Sequence, residues 1–210
     1  MKGNGGRPEQ IEETILDAAD RLLAREGYHQ MTMDDLAHES GVAKGVIYLH
    51  FPGKADVILA HIDRIAEGVL DGLERIAASA AVPADKIRQM IVLRVMYRFD
   101  SVQHYPEAVA DVVHDLGSAL LQQREKHFAA EAKVLAKVLA QADGAITAEP
   151  QERAAVASAV VSATNALLPY NLSASELTRR REVAEKADRI ATMLLRGLLR
   201  PDRAAKRRAA

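Results

Sequence analysis

The chain has no cysteine and no tryptophan, and only three phenylalanines and five tyrosines among 210 residues. Without cysteine there is no disulfide framework, no thiolate zinc site and no cysteine nucleophile. Aromatics make up 4% of the chain while 49% is hydrophobic, so alanine and leucine carry the apolar content. That composition favours helices over sheets. No apolar run approaches the roughly 20 residues that cross a bilayer, and Met1 to Pro8 lacks the apolar stretch of a signal peptide. The expectation is a soluble, cytoplasmic protein with no membrane partner. Neither sign of charge dominates, the net being -1. The distribution is uneven, however: residues 1–54 hold 6 basic and 9 acidic side chains, residues 55–178 hold 11 and 16, and residues 179–210 hold 11 and 4. Arg179-Arg180-Arg181 and Lys206-Arg207-Arg208 dominate the last block, where a basic tail either touches nucleic acid or keeps a helix end solvated. A chain acidic elsewhere is a poor generic binder of nucleic acid, so DNA binding would need a local element.

What is present is helical periodicity. From Glu9, Ile11, Ile15, Ala18 and Leu22 recur at intervals of three and four, with Glu12, Glu13 and Asp17 near the start, where the helix dipole favours acids. Gly27 is placed to end this helix, with Tyr28 to Met31 as a short connection. Thr32 is an N-cap with Asp35 three residues on, which predicts a short second helix from about Met33 to Glu39. Ser40-Gly41 breaks it, and Val42, Val46 and Ile47 resume helical spacing from about Ala43 until Phe51-Pro52. Two short helices joined at a glycine make a helix-turn-helix, or an ordinary helical hairpin. A long helix follows from Gly53 or Lys54 to Ser79, carrying Ile58, Ile62, Ile65, Val69, Leu73 and Ile76 on one face. Asp85 to Asp100 is apolar nearly all round, as in a buried helix. Further helices are predicted over about 106–115, 117–142, 151–168 and 175–199. The fold class expected is all-α, with about nine helices and no convincing strand.

The segment from Thr32 to Lys54 resembles the N-terminal DNA-binding domain of the TetR family of bacterial repressors. Leu36-Ala37, Gly41-Val42, Lys44-Gly45, Tyr48, His50-Phe51 and Lys54 stand at that family's spacing, and with the first helix the likeness covers about the first quarter of the chain. Gly53 departs from it, since a serine or similar cap is usual there. The resemblance implies a DNA-binding domain over 1–54 and an effector-binding and dimerisation domain over 55–210. It also implies that Tyr48, His50 and Lys54 meet the DNA backbone. The chemistry agrees. Lys44 can donate to guanine at the start of the third helix, and small Ala43 and Gly45 beside it let the backbone approach the groove floor. Val46 meets a thymine methyl or belongs to the core. Lys54 adds charge at a helix N-terminus, itself an anion site. Thr32 can both cap its helix and touch phosphate. Lys2 and Arg7 can act as a flexible arm or stay unengaged.

By the same resemblance the last helices pair two copies into a homodimer. Ala155, Ser158 and Ala159 permit close approach, and Ile190, Leu194 and Leu198 belong to a broad apolar stripe that serves either a partner or the chain's own core. A small-molecule effector is expected in the second domain. His61, Met90, Arg94, Tyr97, Arg98 and Phe128 are the candidate pocket residues. Arg94 and Arg98 lie one turn apart on the most apolar helix, where a buried cation needs a partner. That partner is an anionic ligand or an internal acid, Asp100, Asp111 or Asp115, the internal pair being the commoner arrangement. The function expected is a transcriptional repressor that reads a palindromic double-stranded DNA operator and is released by effector. The alternative is an all-helical ligand-binding or interaction protein without DNA binding. No serine elbow, phosphate-cradling loop or H-E-x-x-H motif supports an enzyme. Asp111, His114 and Asp115 read as a surface charge cluster, and the spacing of His104, His114 and His127 matches no metal-ligand pattern. No metal or cofactor is expected.

Overall fold

A computed structural model describes residues 8–142 and 147–198. Lys2, Arg7 and the basic triplet at 206–208 lie outside the described residues. Nine α-helices and three short 3-10 turns account for the described elements, with no strand among them. The first four helices are α1 (Pro8–Gln30), α2 (Met33–Ser40), α3 (Lys44–His50) and α4 (Lys54–Ala78). Gly27 interrupts α1 at φ 78° and ψ 172°, a conformation side chains with Cβ scarcely adopt, and the segment expected as a connection adds a further turn up to Gln30. Thr32 and Asp35 make a complete capping box at α2. Gly41 closes that helix in the left-handed region at φ 68°.

α5 (Pro83–Val102) and α6 (Pro106–Gln141) follow. The two helices expected over 106–115 and 117–142 are one continuous rod of 36 residues running straight through Gly117. The expected helix over 151–168 is also corrected. After a 3-10 turn at Pro150–Glu152, α7 (Arg153–Ala163) stops at Thr164, and two more 3-10 turns, Asn165–Leu167 and Pro169–Asn171, carry the chain to α8 (Ala174–Leu177) and α9 (Arg180–Leu198). Among the described residues the helix count agrees with nine, but with these different boundaries. No helix of the described residues is long and apolar enough to cross a membrane.

The core falls into three clusters. One joins Ile15, Leu22, Leu36, Ile47 and Phe51 of the first three helices and the turn after them to Val57 and Ile58 of α4 and to Tyr105, Ala108 and Val112 around the start of α6. The second fills the space between α4, α5, α6, α7 and α9 around Val69, Ile91, Leu139 and Val160. The third sets Val95 and Phe99 against Leu168, Leu177, Val183 and Ala187. The first cluster does not stop at Lys54: the helix-turn-helix packs on the same apolar surface as α4 and α6.

Candidate nucleic-acid interface and cavity

α3 is seven residues long and amphipathic in the simplest sense. Ile47 is fully buried, and Ala43, Lys44, Gly45, Tyr48 and Leu49 are exposed. Four of the seven expected DNA-facing residues therefore share one open face: Ala43, Lys44, Gly45 and Tyr48. Lys44 is not free on that face, because its Nζ lies 2.7 Å from Asp34 Oδ1 of α2, and that carboxylate holds the ammonium pKa above its usual value. Leu49, 84% exposed, was not singled out by its sequence context. The signal was available: it lies one residue beyond Tyr48 and two beyond buried Ile47, so it has to point outward.

The other three expected contacts hold the domain together. Thr32 Oγ1 donates to Asp35 Oδ2 at 2.6 Å and accepts from the Asp35 N–H at 3.1 Å. Its hydroxyl is thus occupied by the cap, and the bond from that hydroxyl is the largest cause keeping the Asp35 carboxyl below its ordinary value. His50 turns its Nδ1 toward Glu12 Oε1 of α1 at 2.9 Å. Lys54 Nζ donates to the carbonyls of Tyr28 (2.9 Å) and His29 (3.3 Å) and sits 4.5 Å from the centre of the Tyr28 ring. A cation at those carbonyls satisfies acceptors that the end of α1 leaves without a partner in the helix.

Between α4, the end of α5, α6 and the turn at Pro169–Asn171 lies a cavity of about 340 Å³. Its walls are mostly Ile62, Ile65, Val102, Val109, Val113 and Leu120. Of the six expected pocket residues, His61, Arg98 and Phe128 line it. Met90 and Arg94 line a separate small void deeper in the bundle, and Tyr97, 39% exposed, lies across Gly68 of α4. Tyr97 fails to reach the cavity because consecutive helical positions turn by about 100°, which takes it off the face shared by Arg94 and Arg98.

The partner of those two arginines is none of the three acids expected. Glu131 of α6, 1% exposed, accepts from Arg94 Nε at 2.6 Å and from Arg98 Nη2 at 2.5 Å. Asp100 instead pairs with Arg180 at 2.7 Å, and Asp111 and Asp115 flank His29 of α1 at 3.5 and 3.7 Å. Glu131 was hidden by the misplaced weight on nearby acids: it lies 33 residues beyond Arg98, and only the undivided α6 brings it across. Arg94 also donates to Thr164 and to Asn165 Oδ1 at 3.1 Å, just beyond the end of α7.

The end of the cavity nearest α1 is closed by a polar cluster. His61 Nε2 lies 3.0 Å from Tyr105 Oη, and Tyr105 donates to Asp20 Oδ1 at 3.0 Å. Asp20 sits 3.4 Å from His61, whose hydrogen bond is the largest cause holding the Asp20 carboxyl below its ordinary value. Arg64, one turn along α4, binds Glu13 at 2.9 Å and Asp17 at 2.7 Å, both on α1. The cavity wall and the DNA-binding domain are therefore connected by hydrogen bonds as well as by packing.

An exposed short helix, presented by a glycine-closed turn on a three-helix unit, is a helix-turn-helix, the arrangement that presents a recognition helix to DNA. Residues 15–61 match the model of the bacterial regulatory proteins of the tetR family, so the chain carries that family's N-terminal domain. The fatty acid metabolism regulator protein of Bacillus subtilis (strain 168) is 31% identical over 85 residues, covering 40% of this chain and 43% of that protein. The HTH-type transcriptional activator FasR of Mycolicibacterium smegmatis is 30% identical over 107 residues, covering 49% and 45%. The chain thus spans less than half the length of these curated relatives. A transcriptional regulator from Cytophaga hutchinsonii superposes with a TM-score of 0.69 at 17% identity, over 90% of this chain and 98% of that one, a likeness of fold.

Proposed function

We propose that the chain is a transcriptional repressor that binds a palindromic operator as a homodimer and lets go when a small apolar effector fills the cavity. The observation that carries this reading is the open face of α3. Lys44 offers donors to a guanine edge, Gly45 and Ala43 leave room for the groove floor, and Tyr48 offers a hydroxyl to phosphate. Leu49 adds an apolar contact of the kind a thymine methyl takes. Lys44 gives up Asp34 on binding, so its net gain is smaller than that of a free lysine. The sense of regulation follows the family resemblance, and a cytoplasmic location belongs to the same reading.

Dimerisation is supported by the outer face of α7, where Ala155, Ser158 and Ala159 are exposed and small, and by Met193 of α9, 68% exposed beside them in sequence register with Ile190 and Leu194. Ile190, Leu194 and Leu198 are half-buried and already pack on the chain's own core, so they supply the edge of such an interface rather than its centre.

Release works through α4. A ligand against His61 and Ile62 displaces the wall that holds Tyr105 and Asp20, and Arg64 carries the shift to α1 by its bonds to Glu13 and Asp17. Because α4 follows α3 after three residues, a rotation of α4 changes the spacing of the two α3 helices in the dimer. A coupling of about 1–3 kcal/mol weakens operator binding about 5- to 150-fold.

Lys44→Ala tests the DNA half of this reading. The variant is expected to stay folded and dimeric and to lose about 1–3 kcal/mol of operator binding in a titration of labelled duplex, the worth of one good base contact. Unchanged affinity would remove α3 from the interface.

A further inference from the structure

The arginine cluster beside the cavity is out of charge balance. Arg94 and Arg98 are 3% and 8% exposed, and they share the one carboxylate of Glu131. Their remaining partners, Thr164, Asn165 Oδ1 and the Arg94 carbonyl, are neutral. One positive charge in the interior is therefore left without a counter-ion, an arrangement that costs free energy unless an anion comes to it. Arg98 stands on the cavity wall.

A second cation stands on the same wall. Arg124 of α6 lies 5.8 Å from the Phe128 ring centre and 5.5 Å from that of Tyr170, and no carboxylate among the described residues pairs with it. Tyr170 Oη is buried on the cavity wall and faces Arg124, whose guanidinium can donate to it, so the Tyr170 hydroxyl hydrogen is left without an acceptor. Asp63, beside the wall residues Gln123 and His127, is already taken by His127 at 2.8 Å and by Gln123 Nε2 at 3.0 Å. Asp20, at the α1 end, is taken by Tyr105 and His61. The cavity is thus apolar along its length, satisfied at its α1 end, and at the other end lined by Arg98, Arg124 and the Tyr170 hydroxyl, where guanidinium charge exceeds carboxylate charge.

We propose that the cavity takes an amphiphilic carboxylate, its alkyl or aryl body along Val109, Val113 and Leu120 and its head group at Arg124, Arg98 and Tyr170. This rests on the reading of the cavity as the effector site, and it names the chemistry of the effector. The carboxylate accepts from the two guanidinium groups and from the Tyr170 hydroxyl and supplies the missing negative charge. A volume of about 340 Å³ lies at the low end of small-molecule pockets, about 300–1,000 Å³, which suits a single unbranched chain or one aromatic acid. A free acid and an acyl chain carried as a phosphate-bearing thioester both present an anion beyond an apolar body; the direct carboxylate contact selects the free acid.

The test compares decanoate, 1-decanol, decylamine and decanoyl-coenzyme A by calorimetry on the full-length protein. Decanoate is expected to bind about tenfold or more tighter than decanol, the worth of one charge-assisted hydrogen bond, and decylamine not at all. Arg124→Met with Tyr170→Phe reduces that preference, leaving the part that Arg98 supplies, while decanol binds as before, and unchanged decanol binding shows that the cavity is intact. Decanol binding as tightly as decanoate, a preference that the double substitution leaves undiminished, or no binding of decanoate overturns the proposal. Tighter binding of the thioester than of decanoate also overturns it, by placing the anion outside the cavity. Operator binding is read separately. Decanoate that binds without weakening operator affinity upholds the carboxylate site and overturns release by effector, whereas loss of DNA binding in Lys44→Ala bears only on α3.

Discussion

Lys54 shows how a residue can be legible in kind while its contacts within the fold are not. Its position at the start of α4 reads as a phosphate contact, yet its ammonium closes the end of α1 over Tyr28 and His29. His50 and Thr32 share this fate, bound to Glu12 and Asp35. A sequence displays which donors exist but not which acceptors the fold brings within 3 Å of them. Conformational demands are more readable. Gly27 and Gly41 both punctuate helices in the sequence, and both have positive φ. Gly27→Ala is expected to destabilise the protein by about 1–3 kcal/mol, because φ 78° with ψ 172° belongs to glycine. Gly41→Ala is expected to cost about 1–2 kcal/mol, the ordinary left-handed penalty. Denaturant melts of both variants check this; a Gly27→Ala protein as stable as the parent would mean that the chain can turn there by another route.

The helices themselves divide by what decides their ends. α2, α3, α4 and α5 were legible to within a residue or two because caps, glycines and prolines set them locally. α6 was not, since the sequence offers a helix breaker at Gly117 that the fold overrides. One glycine costs about 1 kcal/mol inside a helix, less than the packing of α6 on α1, α4 and α5 returns. α7 departs in the opposite direction: it stops at Ala163, well before Pro169, and the residues that follow, Thr164 and Asn165, bond to Arg94 of another helix, a contact no local pattern displays. The α1–α4–α6 clasp makes a prediction at this scale. The Asp20 carboxyl is held below its ordinary value of 3.8 by His61, with Tyr105 and Arg64 adding to it. A carboxyl depressed in the folded state contributes stability that is complete above the unfolded pKa and is lost as pH falls through the folded one. Melting temperature is therefore expected to fall as pH drops below about 4, and Asp20→Asn, already lacking that contribution at neutral pH, to show a smaller fall over the same range. Equal falls in both proteins would mean that other acids govern the clasp.

For the molecule as a whole, packing marks no division at Lys54. The first hydrophobic cluster runs from α1 through α3 into α4 and α6, so the helix-turn-helix is seated on the helices that wall the cavity. In the proposed function that continuity is the route from ligand to DNA. The all-helical architecture could be read from composition and periodicity; the cavity could not, because it is made by α4, α5, α6 and the turn at Pro169–Asn171 meeting across more than a hundred residues of sequence. The most direct measurement on the central claim is selection of bound sequences from a random DNA pool with the full-length protein. The account predicts an enriched inverted repeat with half-site centres about 34–36 Å apart, or a whole multiple of a helical turn, and weaker enrichment with Lys44→Ala. A folded, dimeric protein that enriches nothing, with or without decanoate, would contradict it.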